Sequence, residues 1–302
     1  MGLEGLGTFN VKPGVERVLL RRAEDLGQRR NGDDGLEHPV PARRRPANPR
    51  VSVVIPALNE AENLPFVLPR VPATVDEIIL VDGCSTDKTV ELATSLLPNI
   101  RIVAQEGRGK GAALRAGFAA STGDIIVMLD GDGSTDPAEI PLFVGALLAG
   151  ADFVKGSRFL LGGGTADMPL HRRLGNRVFL LLTRILFRVR YTDICYGYNA
   201  FWADAVRRLE LSASGFEVEA MMNIRAHRVG LRVAEVPSFE YRRKYGVGHL
   251  RTFADGWRVL RTIFAERGRA AKTFELEHGF AGARVRAHPE HIPELEYSSD
   301  GA

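Results

Sequence analysis

Cysteine is scarce in this chain: Cys84 and Cys195 are the only two in 302 residues. They form neither a CxxC pair nor a His and Cys cluster at metal-ligand spacing, so no disulfide framework or structural zinc site is expected and a reducing cytoplasm is the default compartment. Long apolar runs are missing too. None approaches the roughly 20 residues that a bilayer span needs, and the start of the chain lacks the charged-then-apolar pattern of a secretory leader. Lys and Arg outnumber Asp and Glu only by 40 to 37, a formal net charge of +3, far from the balance of a protein that coats nucleic acid. Aromatics make up 8% and are not interleaved with cations as a single-strand binder requires, so nucleic acid is not an expected partner.

What is present is enough apolar material, 45% of residues, for a sizeable core and independent folding. Four regions are expected. Residues 1–49 are rich in Arg, Gly and Pro and read as a mobile extension with a short helix over Val15–Leu26. Residues 50–245 form the main domain, 246–270 an amphipathic C-terminal helix, and 271–302 a tail with little periodic signal. No internal repeat is visible.

From Val51 the chain alternates short β-rich runs (Val51–Ile55, Glu77–Val81, Ile100–Val103, Asp124–Leu129) with helical patterns over about Glu60–Leu68, Lys88–Leu97 and Lys110–Ala120. Such alternation predicts an α/β fold with a mainly parallel sheet flanked by helices. Further strands are expected at Phe153–Lys155 and Arg232–Val236, a glycine-rich loop at Gly162–Gly164, and helices over about Leu170–Arg188 and Leu250–Glu266. Sheets of this kind bind ligands at the carboxyl ends of their strands. Attention therefore falls on Pro56 to Glu60, Asp82 to Asp87, Gln105 to Lys110 and Asp130 to Ser134.

Asp130 and Asp132 leave a strand end together, and two carboxylates there are costly to bury without a cation between them. Mg²⁺ or Mn²⁺, shared with the phosphates of a nucleotide diphosphate, meets that need; a solvated acidic turn is the alternative. Asp82, Asn59 and Glu60 sit at neighbouring strand ends and could accept hydrogen bonds from a base or ribose, whereas Ser85, Thr86 and Asp87 are explained by helix capping alone. Arg108 to Gly111 offers two cations and open backbone N–H groups ahead of a helix, suited to diphosphate or, equally, to a plain basic loop.

The ordered motifs VSVVIPALNE (51–60), VDGCSTD (81–87), GKGAAL (109–114) and LDGDG (129–133) resemble family 2 glycosyltransferases, in particular the dolichol-phosphate mannose synthase and polyprenyl-phosphate glycosyltransferase branch. The likeness continues through KGSRF (155–159), RLGN (173–176), TDICYGYN (192–199), GFEVE (215–219) and EVP (235–237), about two-thirds of the chain. It implies a GT-A fold and an inverting transfer from a GDP- or UDP-hexose to a polyprenyl-phosphate-type lipid. It further implies donor contacts at Pro56, Asn59, Glu60, Asp82, Lys110, Asp130 and Gly131, and a metal at Asp130, Asp132 and Ser134. Arg158, Arg173 and Asn176 would meet the acceptor phosphate. Asp132 and Asp193 are the catalytic candidates, Asp193 as general base if the acceptor is a hydroxyl and as a residue that orients its neighbours if the acceptor is a phosphate, with Glu217 and Glu219 as secondary candidates.

Two departures qualify the likeness. Ser134 stands where the branch offers a Gln ligand, and Gly246 to Leu250 lacks the Lys of the branch's GESKL, leaving His249 or Arg251 as substitutes. The segment 171–190 mixes large apolar residues with six arginines, and Leu250, Phe253, Trp257, Leu260 and Phe264 repeat at helical spacing. Each helix either packs on the core or lies in a membrane interface, so peripheral contact with the inner face of the cell membrane accompanies the cytoplasmic expectation. Two rival readings are a soluble hydroxyl or phosphorylated acceptor and, in another class, a non-catalytic nucleotide-sugar binding module.

Overall fold

The computed structural model describes residues 45–248 and 250–279, with side chains to residue 269. The expected helix at Val15–Leu26, His249 and the end of the tail lie outside the described residues. In chain order the elements are β1 (Val51–Ala57), α1 (Leu64–Val67), β2 (Glu77–Asp82), α2 (Thr89–Leu96), β3 (Arg101–Ala104), α3 (Lys110–Ala120), β4 (Ile125–Met128), α4 (Ile140–Leu148), β5 (Phe153–Ser157), β6 (Gly164–Thr165), α5 (Leu170–Phe187), β7 (Asn199–Trp202), α6 (Ala203–Arg208), α7 (Val218–Arg228), β8 (Val233–Pro237), β9 (Phe239–Glu240) and α8 (Thr252–Gly279).

Seven strands make one sheet in the order β3-β2-β1-β4-β7-β5-β8. All neighbours are parallel except β7, which runs against both β4 and β5. β4 is buried throughout and β1 nearly so, because helices cover both faces of the sheet and every side chain of a central strand then needs an apolar neighbour. Val53, Ile55, Val81, Leu129, Phe143, Phe153 and Phe201 anchor this core. A smaller core brings Phe187, Ile194, Ala220, Ile224, Val259 and Ile263 together, joining α5, α7 and α8.

The antiparallel strand shapes the carboxyl end of the sheet. Met128 pairs with Asn199, so carrying that register past the end of β4 brings Gly197 opposite Asp130. A chain segment entering the sheet thus abuts the segment leaving it.

Three elements depart from expectation. The first helix shrinks to Leu64–Val67 with a 3₁₀ turn at Leu68–Arg70, because Pro69 cannot donate the N–H that would continue it. The last helix continues to Gly279, through a run containing Ala270, Ala271, Lys272, Leu276 and Glu277, residues of high helix propensity. The chain is already anchored at Arg45, within the expected mobile extension. Arg45 pairs with Asp204 at 2.5 Å and Asp152 at 3.1 Å and lies over the Trp202 ring.

Candidate active site

The strand ends open into a cleft of about 700 Å³. One wall comes from the β1, β2 and β4 ends and the start of α3, and carries Pro56, Glu60, Lys110, Asp130, Gly131, Asp132 and Ser134. The other comes from α5 and α8, and carries His171, Arg172, Asn176, Phe179, Asp255 and Val259.

Lys110 is wedged between Asp130 Oδ1 at 2.6 Å and Glu219 Oε1 at 2.9 Å. Burial works against its charge, but the two carboxylates outweigh burial and hold the ammonium well above its ordinary pKa. Asp130 is pushed up, first by burial and then by Asp132 and Glu219, against the pull of Lys110. Gly197 is required beside this cluster: a Cβ there would stand 2.5 Å from Lys110 Nζ, 2.8 Å from Glu219 Oε1 and 2.9 Å from Asp130 Oδ2.

Asp132 is oriented by the Ser134 backbone N–H at 2.9 Å and faces Arg243 Nη1 at 3.4 Å. Arg243 also grips Glu60 at 2.6 Å, and Glu60 accepts from Asn63 Nδ2 at 2.7 Å. Burial raises the Glu60 pKa despite Arg243. Asn63 in turn holds the backbone of Tyr245, so residues 243–245 are strapped across the metal motif. Sequence reasoning gives Arg243 no place at the site. Its only sequence signal is the cation itself, because its partners Glu60 and Asp132 lie far away along the chain.

Several expectations are corrected. Asn59 and Asp82 do not line the cleft. Asn59, at φ 56°, spends its side-chain oxygen on Thr86 and its backbone N–H on Ser85, while Asp82 accepts from the Ser85 backbone. The backbone N–H groups of Gly111 and Ala112 are not open to a ligand, since both donate to Ser214 O. The glycines there serve close packing: a Cβ at Gly109 or Gly111 would meet the 213–214 backbone within 2.5 Å.

The acceptor-side residues rearrange as well. Arg158 donates Nε to Asp193 Oδ2 at 2.7 Å, Nη2 to Asp193 Oδ1 at 3.0 Å and to Cys195 O at 2.9 Å, and Nη1 to both Glu240 oxygens at 3.1 Å. Its fork is therefore consumed by the protein rather than held open for phosphate. Asp193 is fully buried behind it and absent from the cleft wall. Burial would raise its pKa, but Arg158 reverses the sign and holds the carboxyl below the usual range. Arg173 is not on the cleft wall, although its Nε is buried without a partner. Asn176 is on the wall: Oδ1 accepts from Ile194 N, and Nδ2 is a buried donor without a partner. Glu217 Oε1 accepts from Gly215 N, so it serves a turn.

The donor set fits a hard divalent cation. Two carboxylates of like charge face the cleft, and the burial that raises Asp130 is the cost a cation would remove. Among the described residues no group of three His, Cys, Asp or Glu could hold a metal, and Ser134 lies on the same wall as the two aspartates.

Comparison with known proteins agrees with this architecture. The Glycosyl transferase family 2 profile matches residues 52–209. An undecaprenyl-phosphate mannosyltransferase of Micrococcus luteus is 34% identical over 209 residues, 65% of this chain and 86% of the relative. A polyprenol monophosphomannose synthase of Mycolicibacterium smegmatis is 33% identical over 223 residues, 70% of this chain and 84% of the relative. Among solved structures, glucosyl-3-phosphoglycerate synthase from Mycobacterium tuberculosis, in complex with Mn²⁺, UDP-glucose and phosphoglyceric acid, superposes with a TM-score of 0.58 at 26% identity, over 73% of this chain and 80% of that one.

Proposed function

The chain belongs to glycosyl transferase family 2 and is a glycosyltransferase of the GT-A fold, and on that premise we propose that it moves a hexose, with inversion, from a nucleotide diphosphate donor to a polyprenyl-phosphate-type lipid at a membrane surface. The two mannosyltransferase relatives support this acceptor class. The observation that carries it is the sealing of Asp193 behind Arg158. A hydroxyl acceptor needs a base; a phosphate already carries its nucleophilic oxygen.

In this reading the donor diphosphate lies against Lys110, Asp130 and Asp132, with Pro56 and Gly131 beside it. Asp130 and Asp132, with Ser134 beside them, hold Mg²⁺ or Mn²⁺, which when bound offsets charge on the departing diphosphate. Asn176 Nδ2 donates to the acceptor phosphate, and Arg172 supplies charge from the same helix face. An acceptor oxygen bonds to the sugar's anomeric carbon as the bond from that carbon to the diphosphate oxygen breaks, and the nucleoside diphosphate leaves. Arg158, Asp193 and Glu240 fix the floor beneath the acceptor.

The test combines two measurements. Melting shifts with GDP- and UDP-hexoses plus Mn²⁺ identify the donor, and labelled sugar is then followed into solvent-extractable lipid. Label that stays water-soluble with a phosphorylated small acceptor would favour the rival reading, for which the phosphoglyceric acid complex of the structural neighbour speaks.

A further inference from the structure

The helices that line the cleft with one side turn a very different side outward. On α5, Leu170, Leu174, Val178, Leu181 and Ile185 are all exposed, Leu170 at 79% and Ile185 at 65%. At about 100° per residue they fall within about 80° of arc, on the side opposite the buried Asn176, Thr183 and Phe187. On α8, Phe253, Trp257 and Phe264 fall within about 40°, Phe253 exposed at 90% and Trp257 at 62%, opposite the buried Val259 and Ile263. Both stripes point away from the small core that the two helices share. Large apolar side chains lined up in water in this way mark a surface that meets something apolar.

Charge says what that something is. Residues 170–190 contain six arginines and no carboxylate. Over 250–269 the acidic residues are Asp255 and Glu266, both buried, whereas Arg251, Arg258 and Arg261 are exposed. Among the described side chains, up to residue 269, the exposed charged groups on the two helices are therefore cationic and flank the apolar stripes. No helix among the described residues is long and apolar enough to cross a membrane.

We propose that the α5–α8 face docks on an anionic bilayer, with Leu174, Leu181, Ile185, Phe253 and Trp257 entering the head-group boundary and the flanking arginines meeting lipid phosphates. The inference deepens the lipid-acceptor reading and rests on it for its purpose. Since α5 and α8 are also a wall of the cleft, the docked enzyme holds that wall at the membrane surface, where a lipid-borne phosphate enters without leaving its leaflet.

The test is co-sedimentation of the full-length protein with vesicles of phosphatidylcholine alone or with a third phosphatidylglycerol. The wild type is expected to bind only the anionic vesicles, less at 0.5 M than at 0.1 M salt. Leu174→Asp/Ile185→Asp and, separately, Arg177→Glu/Arg184→Glu should each lower the bound fraction at least tenfold, with donor-induced melting shifts unchanged. Equal binding by wild type and both variants, no binding by the wild type, or a concentration-dependent dimer broken by the same substitutions would each overturn the proposal. Transfer to a short, water-soluble polyprenyl phosphate separates the two ideas: it survives if only docking fails, and is absent if the lipid-acceptor reading fails.

Discussion

Arg158 and Asp193 form a buried two-point ion pair, Nε to Oδ2 at 2.7 Å and Nη2 to Oδ1 at 3.0 Å, with Lys155 Nζ gripping the Asp193 carbonyl from the other side. A carboxylate held like this is scaffold. Asp193→Asn should therefore keep kcat within about tenfold of wild type, whereas removing a general base would cost about 10²- to 10⁴-fold. Steady-state transfer rates decide between the two.

Asp193→Ala should be far more damaging to the fold. It leaves a buried guanidinium with Glu240 and the Cys195 carbonyl as its remaining hydrogen-bond acceptors, and such a loss costs about 3–5 kcal/mol. Urea unfolding of the two variants measures the difference, with the alanine form expected at a much lower midpoint.

The same pair gives a pH dependence of known sign. The folded pKa of Asp193 lies below its unfolded value, so its contribution is present above the unfolded pKa and is lost as pH falls through the folded one. The stability gap between wild type and Asp193→Asn should be full near neutrality and close progressively in acid below about pH 4. Unfolding free energies across that range provide the check.

Asp132→Ala should abolish turnover, by about 10³-fold if the lost charge stabilisation is several kcal/mol, while nucleotide binding persists through Lys110 and Asp130. Isothermal titration beside kinetics tests it. Chelation should likewise stop turnover while only reducing the stabilisation by donor, which for the intact site is about 2.7 kcal/mol at a hundredfold excess over Kd.

Gly197→Ala should move the Lys110 cluster rather than unfold the protein, since its added carbon meets the far ends of three side chains and no backbone. Displacement of that order can cost about 10²-fold in rate. A kcat loss with a nearly unchanged melting temperature is expected.

The parallel half of the fold was legible because β1, β2 and β4 are largely buried and read as apolar runs: VSVVI, interrupted only by Ser52, then IILV and IIVM. β7 was not: Asn199–Trp202 is four residues long and opens on a polar side chain, so neither length nor alternation announced it. Asp130, Asp132, Lys110 and Glu60 were found because strand ends bind ligands and these residues come after strands. Arg158 and Asp193 carried the right chemistry in the motifs, but a pairing across 35 residues leaves no local trace: it occupies the fork expected to meet phosphate and gives Asp193 the orienting part expected of it with a phosphate acceptor. Asn59 misled for the opposite reason, since its turn with Thr86 and Ser85 satisfies locally a group that looked available.

The reversed strand also has a bearing on synthesis at the ribosome. A nascent chain that has emerged only as far as the Asp130 motif carries the proposed donor residues but has no Glu219 to pair with Lys110 and no Gly197 packed beside it, so a sugar nucleotide should reward its partial folding less than it rewards the completed chain. Ligand rescue of a damaged variant should accordingly be strongest on chains completed well past the seventh strand, and a split of the gene between residues 165 and 190 should yield fragments that gain more from the donor together than apart.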